Sequence, residues 1–113
     1  MQVKELMCPI YGKMAELLMD LECTLRNMNL WRSQRPSEEA FASDQPFCVD
    51  TMDFTDWLQF VFIEKMSVII EEELPLPRNC GLAPMAEEVF RQAQHSPRTL
   101  IRQLEEIDET LSR

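Results

Sequence analysis

The fold of this chain is decided by residues 45–66, QPFCVDTMDFTDWLQFVFIEKM. This segment holds four of the six phenylalanines and one of the two tryptophans. It starts as a loop and continues into a helix, for which Asp53 is the best N-cap and Asp50 the alternative. From Phe54 to Ile70 the helix is apolar around so much of its circumference that we expect several neighbouring helices to bury it.

One face of this helix is predicted to be apolar when successive residues advance by about 100°. The residues on that face are Trp57, Leu58, Val61, Phe62, Val68 and Ile69. Phe60, Ile63, Met66 and Ile70 fall off it, whereas Lys65 falls among apolar positions. Lys65 either extends to the surface or pairs, partly buried, with an acidic loop residue such as Asp50. A ligand-binding lysine is the remaining alternative.

Amphipathic spacing predicts three further helices. The first runs to Met28 and starts either at Pro9 or one kinked turn earlier. A short third helix opens at Ala83-Pro84, because proline is tolerated in a first turn. The last helix follows Ser96-Pro97, where serine is the N-cap and proline the first helical position.

The 113 residues suffice for one domain, residues 1–113, with a core of its own. Residues 32–50 form a long loop with two prolines, which is expected to hold one short turn at Ser37–Phe41 capped by Ser37. We therefore predict an all-α, four-helix up-and-down bundle with a long proline-containing loop between helices 1 and 2.

The net charge of −9 argues against direct binding to nucleic acid or to an anionic membrane. An acidic surface mainly supports solubility, and a basic protein partner is the functional alternative. The four cysteines, Cys8, Cys23, Cys48 and Cys80, are far apart in sequence. Because the first ten residues also lack the apolar run of a signal peptide, we expect reduced thiols in a cytoplasmic protein.

Patterns for catalysis and metal binding are sparse. His95 is the only histidine, and its position before Ser96-Pro97 favours closing a turn over acid–base catalysis. Three residues before it stands Gln92, where di-iron bundles use a glutamate, and the cysteines lack zinc-site spacing. The glutamate-rich runs are typical of solvated faces. The sequence therefore predicts no enzyme, no cofactor and no metal.

A series of landmarks extends over about residues 14 to 112. It consists of Trp31, Gln45-Pro46-Phe47, Asp50-Thr51-Met52, Trp57-Leu58-Gln59, Lys65-Met66, Leu74-Pro75-Leu76-Pro77 and Ala83-Pro84. In this order the series resembles the YqcC-like family of small, uncharacterised bacterial proteins. The resemblance implies an all-α, four-helix up-and-down bundle without an established activity. It also implies an association with a tRNA pseudouridine synthase, whose gene tends to lie nearby.

Aromatic residues mark the predicted binding region. Trp31, Phe47, Trp57 and Phe60 either close one end of the bundle, which the energetic weight of buried aromatics favours, or leave an apolar cleft. An open cleft would be the binding site. The candidate binding residues are Trp31, Pro46, Phe47, Asp50, Met52, Trp57 and Lys65.

The leading functional hypothesis is a non-enzymatic module that binds a protein or peptide partner through this region. A second is an accessory factor for tRNA pseudouridine modification, which acts on the modifying enzyme or through a cluster of Arg26, Arg32 and Arg35. The third is a small-molecule-binding bundle with Lys65 or Asp50 as its polar point. A homodimer is a further alternative, and its contact residues would be Phe60, Ile63 and Ile70.

Overall fold

The computed structural model describes residues 9–78, 80–91 and 97–112. Within these ranges the chain is helical and has no β-strand, so the all-α prediction is confirmed. The elements are α1 (Pro9–Asn27), α2 (Glu38–Phe41), a 3₁₀ turn (Pro46–Cys48), α3 (Phe54–Trp57), a π-helical segment (Leu58–Ile63), α4 (Glu64–Glu72), α5 (Leu82–Val89) and α6 (Arg98–Leu111). The uninterrupted run of α3, the π-helical segment and α4 is called the central helix below.

The core lies where α1 packs against α6 and α4, with α5 covering α6. Each long helix contributes one apolar stripe, as the three- and four-residue spacing predicts. The largest completely buried side chains are Met14, Leu21, Leu25, Leu58, Met66, Leu82, Leu100, Leu104 and Ile107. The up-and-down order of four helices and the single-domain boundary stay predictions.

The buried face of the central helix differs from the predicted one. Phe60, Ile63 and Met66 are buried, whereas Val68 is 48% exposed and Lys65 lies on the surface. On a helical wheel of about 100° per residue, the buried residues Leu58, Phe62, Met66 and Ile69 form one arc, and Lys65 and Val68 lie outside it. The predicted face was therefore centred on the wrong side of this arc.

Left-handed residues end both α1 and the central helix. Asn29 has φ 61° and Glu73 has φ 56°. After Asn29, the N–H of Leu30 donates to the carbonyl of Leu25 at 2.9 Å, and the equivalent bond after Glu73 is also 2.9 Å. These bonds satisfy carbonyls that a helix end leaves without partners. At the end of α1, the left-handed turn at Asn29 leads the chain directly into the connection that contains Arg32.

Ser37 and Asp53 are both N-cap residues, as predicted, but only Ser37 makes a capping hydrogen bond with its side chain. The Ser37 hydroxyl accepts from the N–H of Ala40 at 3.3 Å and caps α2. Asp53 is the N-cap residue of the central helix, but its carboxylate makes no capping bond. Pro97 directly precedes α6, and the predicted cap Ser96 lies outside the described residues.

The start of α5 is capped from another helix. The N–H groups of Leu82 and Ala83 donate to the two carboxylate oxygens of Asp108 on α6, at 3.0 and 2.8 Å. Gly81, at φ 68°, brings the chain into this position. Pro84 lies in the first turn, as predicted, because its missing N–H would be unpaired there in any case.

Among the described residues, no helix combines the length and apolarity needed to cross a membrane.

Candidate interaction site

The connection between α1 and the central helix is fastened through the backbone of Arg32. Its N–H donates to Gln59 Oε1 at 2.9 Å, and Gln59 Nε2 donates to its carbonyl oxygen at 2.8 Å. Gln59 is only 5% exposed, and a buried amide is costly unless it is hydrogen-bonded. One side chain of the central helix therefore fixes the position of the connection.

The guanidinium of Arg32 makes a second attachment on the same helix. Its Nε donates to Asp56 Oδ1 at 2.6 Å, and its Nη2 donates to Asp53 Oδ2 at 3.3 Å. Asp56 is buried and needs a cation beside it. The hydrogen bond and the charge of Asp56 raise the pKa of Arg32 above its ordinary value. The Asp53 carboxylate thus pairs with Arg32 and makes no capping bond to its own helix.

Two further arginines fix the same connection. Arg35 donates to both carboxylate oxygens of Glu64, at 3.0 and 2.8 Å, and its guanidinium lies 4.7 Å from the ring centroid of Phe41. Arg26 lies 4.9 Å from the ring centroid of Trp31 and donates to Glu22 at 2.8 Å. In the predicted cluster of Arg26, Arg32 and Arg35, each arginine is thus already paired with a carboxylate of this chain.

The turn before the central helix forms an aromatic group with that helix. The ring of Phe47 meets Trp57 and Phe54 edge-on, with centroids 4.8 and 5.7 Å away. Trp57 in turn stacks on Phe54 and Phe62, at 6.1 and 6.0 Å. Such pairs contribute about 0.5–1.5 kcal/mol beyond the area they bury. We call residues 45–57 the aromatic corner.

The predicted aromatic quartet is therefore divided. Phe47 and Trp57 come together, whereas the Trp31 ring pairs with Arg26 and the buried Phe60 ring lies 5.8 Å from Arg35. The prediction did not include Phe54 and Phe62, which are the stacking partners of Trp57.

The aromatic corner contains two consecutive left-handed residues. Phe47 has φ 59° and Cys48 has φ 50°, a conformation that costs a residue with a Cβ atom about 1–2 kcal/mol. The Cys48 N–H donates to the Gln45 carbonyl at 3.0 Å, and the Thr51 hydroxyl donates to the Ala40 carbonyl at 2.7 Å. Strained backbone persists where its surroundings determine it, and it is concentrated at functional sites.

The remaining predicted site residues take separate places. Pro46 is exposed, Met52 is half-buried, and Asp50 is exposed and accepts a hydrogen bond from the Ser43 hydroxyl. The anticipated Lys65–Asp50 pair is therefore not formed in this structure. Asp50 and Lys65, the alternative polar points of the small-molecule hypothesis, are both exposed.

Lys65 lies on α4, and its charge lowers the pKa of the Cys80 thiol. Burial and the charge of Asp108 raise the pKa of the Cys80 thiol, and the charge of Lys65 opposes them. Phe60 and Ile63 are buried, so only Ile70 of the predicted dimer contact reaches the surface.

Sequence reasoning missed Val49, Asp56 and Gln59. Val49 extends the exposed apolar surface of the aromatic corner and is 50% exposed. Asp56 and Gln59 were visible as two polar residues, three positions apart, in an otherwise apolar helix. That spacing places them on one helical face within residues 56–63, where they are the only polar residues, and could have indicated a polar attachment point.

The described residues contain no group of three or more His, Cys, Asp or Glu side chains placed to hold a metal ion. His95 lies outside those residues.

Comparison with known proteins places this chain among small bacterial proteins. A family model described as "tRNA pseudouridine synthase C" matches residues 13–110. The "Uncharacterized protein YqcC" of Escherichia coli is 38% identical over 92 residues, which cover 80% of this chain and 84% of that protein. An "Uncharacterized protein" of Haemophilus influenzae is 39% identical over 75 residues, 66% of this chain and 71% of that one.

Two further comparisons concern the fold and a longer relative. The solution NMR structure of E. coli YqcC has a TM-score of 0.79 to this chain at 33% identity, and the alignment covers 91% of this chain and 88% of that one. A Pectobacterium carotovorum protein named "tRNA pseudouridine synthase C" is 36% identical over 87 residues. That match covers 77% of this chain but only 23% of the Pectobacterium protein.

Proposed function

The chain belongs to the YqcC-like family of small uncharacterised proteins, and from that premise we propose that it is a non-enzymatic, cytoplasmic interaction module. Its helices form an up-and-down bundle, and its docking surface is the aromatic corner. The observation that carries the proposal is a strained turn that packs onto the central helix while apolar side chains remain accessible on it. The accessible residues are Pro46, Phe47, Val49, Met52 and Trp57.

The contacts of this surface with the central helix support binding. The Phe47–Trp57 contact joins the turn to the helix, and Arg32 joins the preceding connection to Asp56 and Gln59 of the same helix. A surface that is already ordered loses less entropy on association, and Trp, Phe and Met are enriched at interfaces. A turn selected only to connect two helices would not need two left-handed residues with side chains.

A tRNA pseudouridine synthase is the partner that we propose. Most of the Pectobacterium protein named for that activity lies outside the region similar to this chain. The proposal is that the similar region accompanies the catalytic part and contacts it. Contact with RNA itself is disfavoured by the charge of −9 and by the carboxylate pairing of Arg26, Arg32 and Arg35.

Isothermal titration calorimetry with the purified synthase of the same organism tests this function. Val49→Asp places a charge on the aromatic corner and should weaken binding at least tenfold, because a desolvated charge without a partner is costly. Val68→Asp is the matched control, since Val68 is equally exposed but lies on α4. Equal affinities for both variants would show that the corner is not the interface.

A cellular measurement tests the role in modification. In a strain that lacks this chain, pseudouridine at the site of the synthase should fall and should be restored by the parent chain and by Val68→Asp. Val49→Asp should not restore it. Unchanged pseudouridine in the deletion strain would overturn the proposed role.

A further inference from the structure

A shallow apolar groove runs between α1 and the central helix, on a surface separate from the aromatic corner. Its volume is about 410 Å³. Leu18 and Met19 of α1 form one wall, and Ile63 and Ile70 form the other. On α1, Leu18 and Met19 lie three and four positions after Ala15, which also lines the groove, and Ile63 and Ile70 are seven positions apart, so each wall is one continuous helical stripe.

The groove combines a buried floor with exposed apolar edges. Leu18 and Ile63 are buried, whereas Ile70 is half-buried. Met19 is 67% exposed, more than any other large apolar side chain of the described residues. A flexible methionine above a buried floor suits a surface that receives the apolar side of another helix.

The ends of the groove are acidic. Glu22 and Glu71 line it, and Glu16 and Glu72 are exposed on the same two helices. Arg26 pairs with Glu22, but Glu71 makes no ion pair with any described residue. The central helix also ends beside Glu71, and a helix C-terminus adds a partial negative charge of about half an electron.

We propose that this groove binds a cationic amphipathic helix of a partner protein. The apolar side of that helix contacts Leu18, Met19, Ile63 and Ile70, and its lysines or arginines face Glu22 and Glu71. A second copy of this chain fits poorly, because its own acidic groove would bring like charges together. The inference does not depend on the aromatic corner or on the synthase.

Fluorescence anisotropy with a labelled peptide tests the groove. The probe is a leucine–lysine peptide of about 18 residues, or roughly five helical turns, with leucines spaced to form one helical face. A peptide of the same composition with those leucines scattered around the helix is the control probe. The ordered peptide should bind the full chain at least tenfold more tightly, and added salt should weaken its binding.

Variants separate the apolar and charged contributions. Met19→Gln and Glu71→Lys should each weaken the binding of the ordered peptide at least fivefold. Glu71→Lys should also reduce the salt dependence of that binding. Val68→Gln is the control for Met19→Gln. Glu87→Lys on α5 changes the net charge as Glu71→Lys does, but away from the groove. Both controls should bind like the parent chain.

Three outcomes would overturn the inference. They are equal binding of the two peptides, unchanged binding by Met19→Gln, and equal losses for Glu71→Lys and Glu87→Lys. Sedimentation equilibrium tests whether a second copy of this chain occupies the groove instead. A dimer of the parent chain that Met19→Gln dissociates would assign the groove to self-association and would contradict the proposal.

Discussion

Gln59 binds the backbone of Arg32 through both ends of its amide group, as donor to the carbonyl at 2.8 Å and as acceptor from the N–H at 2.9 Å. The two residues are 27 positions apart in sequence. A backbone segment without helix or sheet partners must satisfy its polar groups elsewhere, and here one buried side chain does so. The position of the whole connection depends on this contact.

Gln59→Met should therefore destabilise the chain by about 1–3 kcal/mol, because it leaves the N–H and carbonyl of Arg32 without partners. Urea denaturation measures the free energy of unfolding. Gln34→Met is the control, since Gln34 is exposed and should change stability by less than about 0.5 kcal/mol. Equal effects of the two substitutions would show that the amide contact contributes little.

Cys48→Gly should be more stable than Cys48→Ala by about 1 kcal/mol. Both substitutions remove the thiol, but only alanine keeps a Cβ atom at φ 50°. At Val49, where φ is −64°, the alanine variant should instead be more stable than the glycine variant. Glycine there only adds conformational freedom to the unfolded chain. Thermal unfolding of the four variants checks both signs, and the same order at both positions would rule out strain at Cys48.

The Phe47 and Trp57 rings should show a coupling energy of about 0.5–1.5 kcal/mol in a double-mutant cycle with leucine at each position. Chemical denaturation of the two single variants and the double variant gives this energy. Phe47 and Phe90 provide the control cycle, because Phe90 follows α5 and no ring contact joins it to Phe47. Additive effects in both cycles would contradict a specific ring contact.

Asp108→Ala should cost about 1–2 kcal/mol, the loss typical of a helix N-cap, since it removes the acceptor of two N–H groups at the start of α5. Asp108→Asn, which keeps one acceptor oxygen, should cost less. Glu105→Ala, on the exposed side of α6, is the control and should be nearly neutral. A cost for Asp108→Ala no larger than for Glu105→Ala would refute the capping role.

Stability should fall above pH 9.0 through Cys80. Burial and the charge of Asp108 raise the pKa of this thiol above its ordinary value of 9.0. Above that pH the unfolded chain loses the proton first, so the folded state binds more protons and stability falls as pH rises. Below pH 9.0 the contribution is fully present.

Cys80→Ala should reduce the loss of stability between pH 8 and pH 10, measured by guanidinium denaturation. Cys23→Ala is the matched control, because Cys23 is exposed, and it should leave the pH dependence of the parent chain unchanged. A parent-like slope in Cys80→Ala would exclude the thiol as the source.

Much of the fold was predictable because it depends on local chemistry. The scarcity of glycine, the three- and four-residue apolar spacing and residues such as Ser37 specify helices and their ends within a few positions. The end of α1 at Asn27 lies one residue from the predicted Met28. Family membership was also predictable, since the landmarks are ordered along the chain.

The candidate site was predictable only in outline. Phe47 and Trp57, which the sequence assigned to one region, are in contact, but the left-handed turn that orients Phe47 follows from no propensity of Phe or Cys. The buried face of the central helix was likewise misplaced, because Val68 and Lys65 are exposed and Phe60 is buried. A helix that is apolar around most of its circumference does not by itself indicate which side its neighbours cover.

By itself, the sequence determined that this chain is helical, where its helices end and that its charge is acidic. The tertiary structure alone decided which carboxylates neutralise its arginines, as in the Arg32–Asp56 and Arg35–Glu64 pairs, which are 24 and 29 positions apart. It also decided which apolar residues remain exposed. The physical reason is that propensities and caps act within one or two turns, whereas these contacts form only when distant segments pack together.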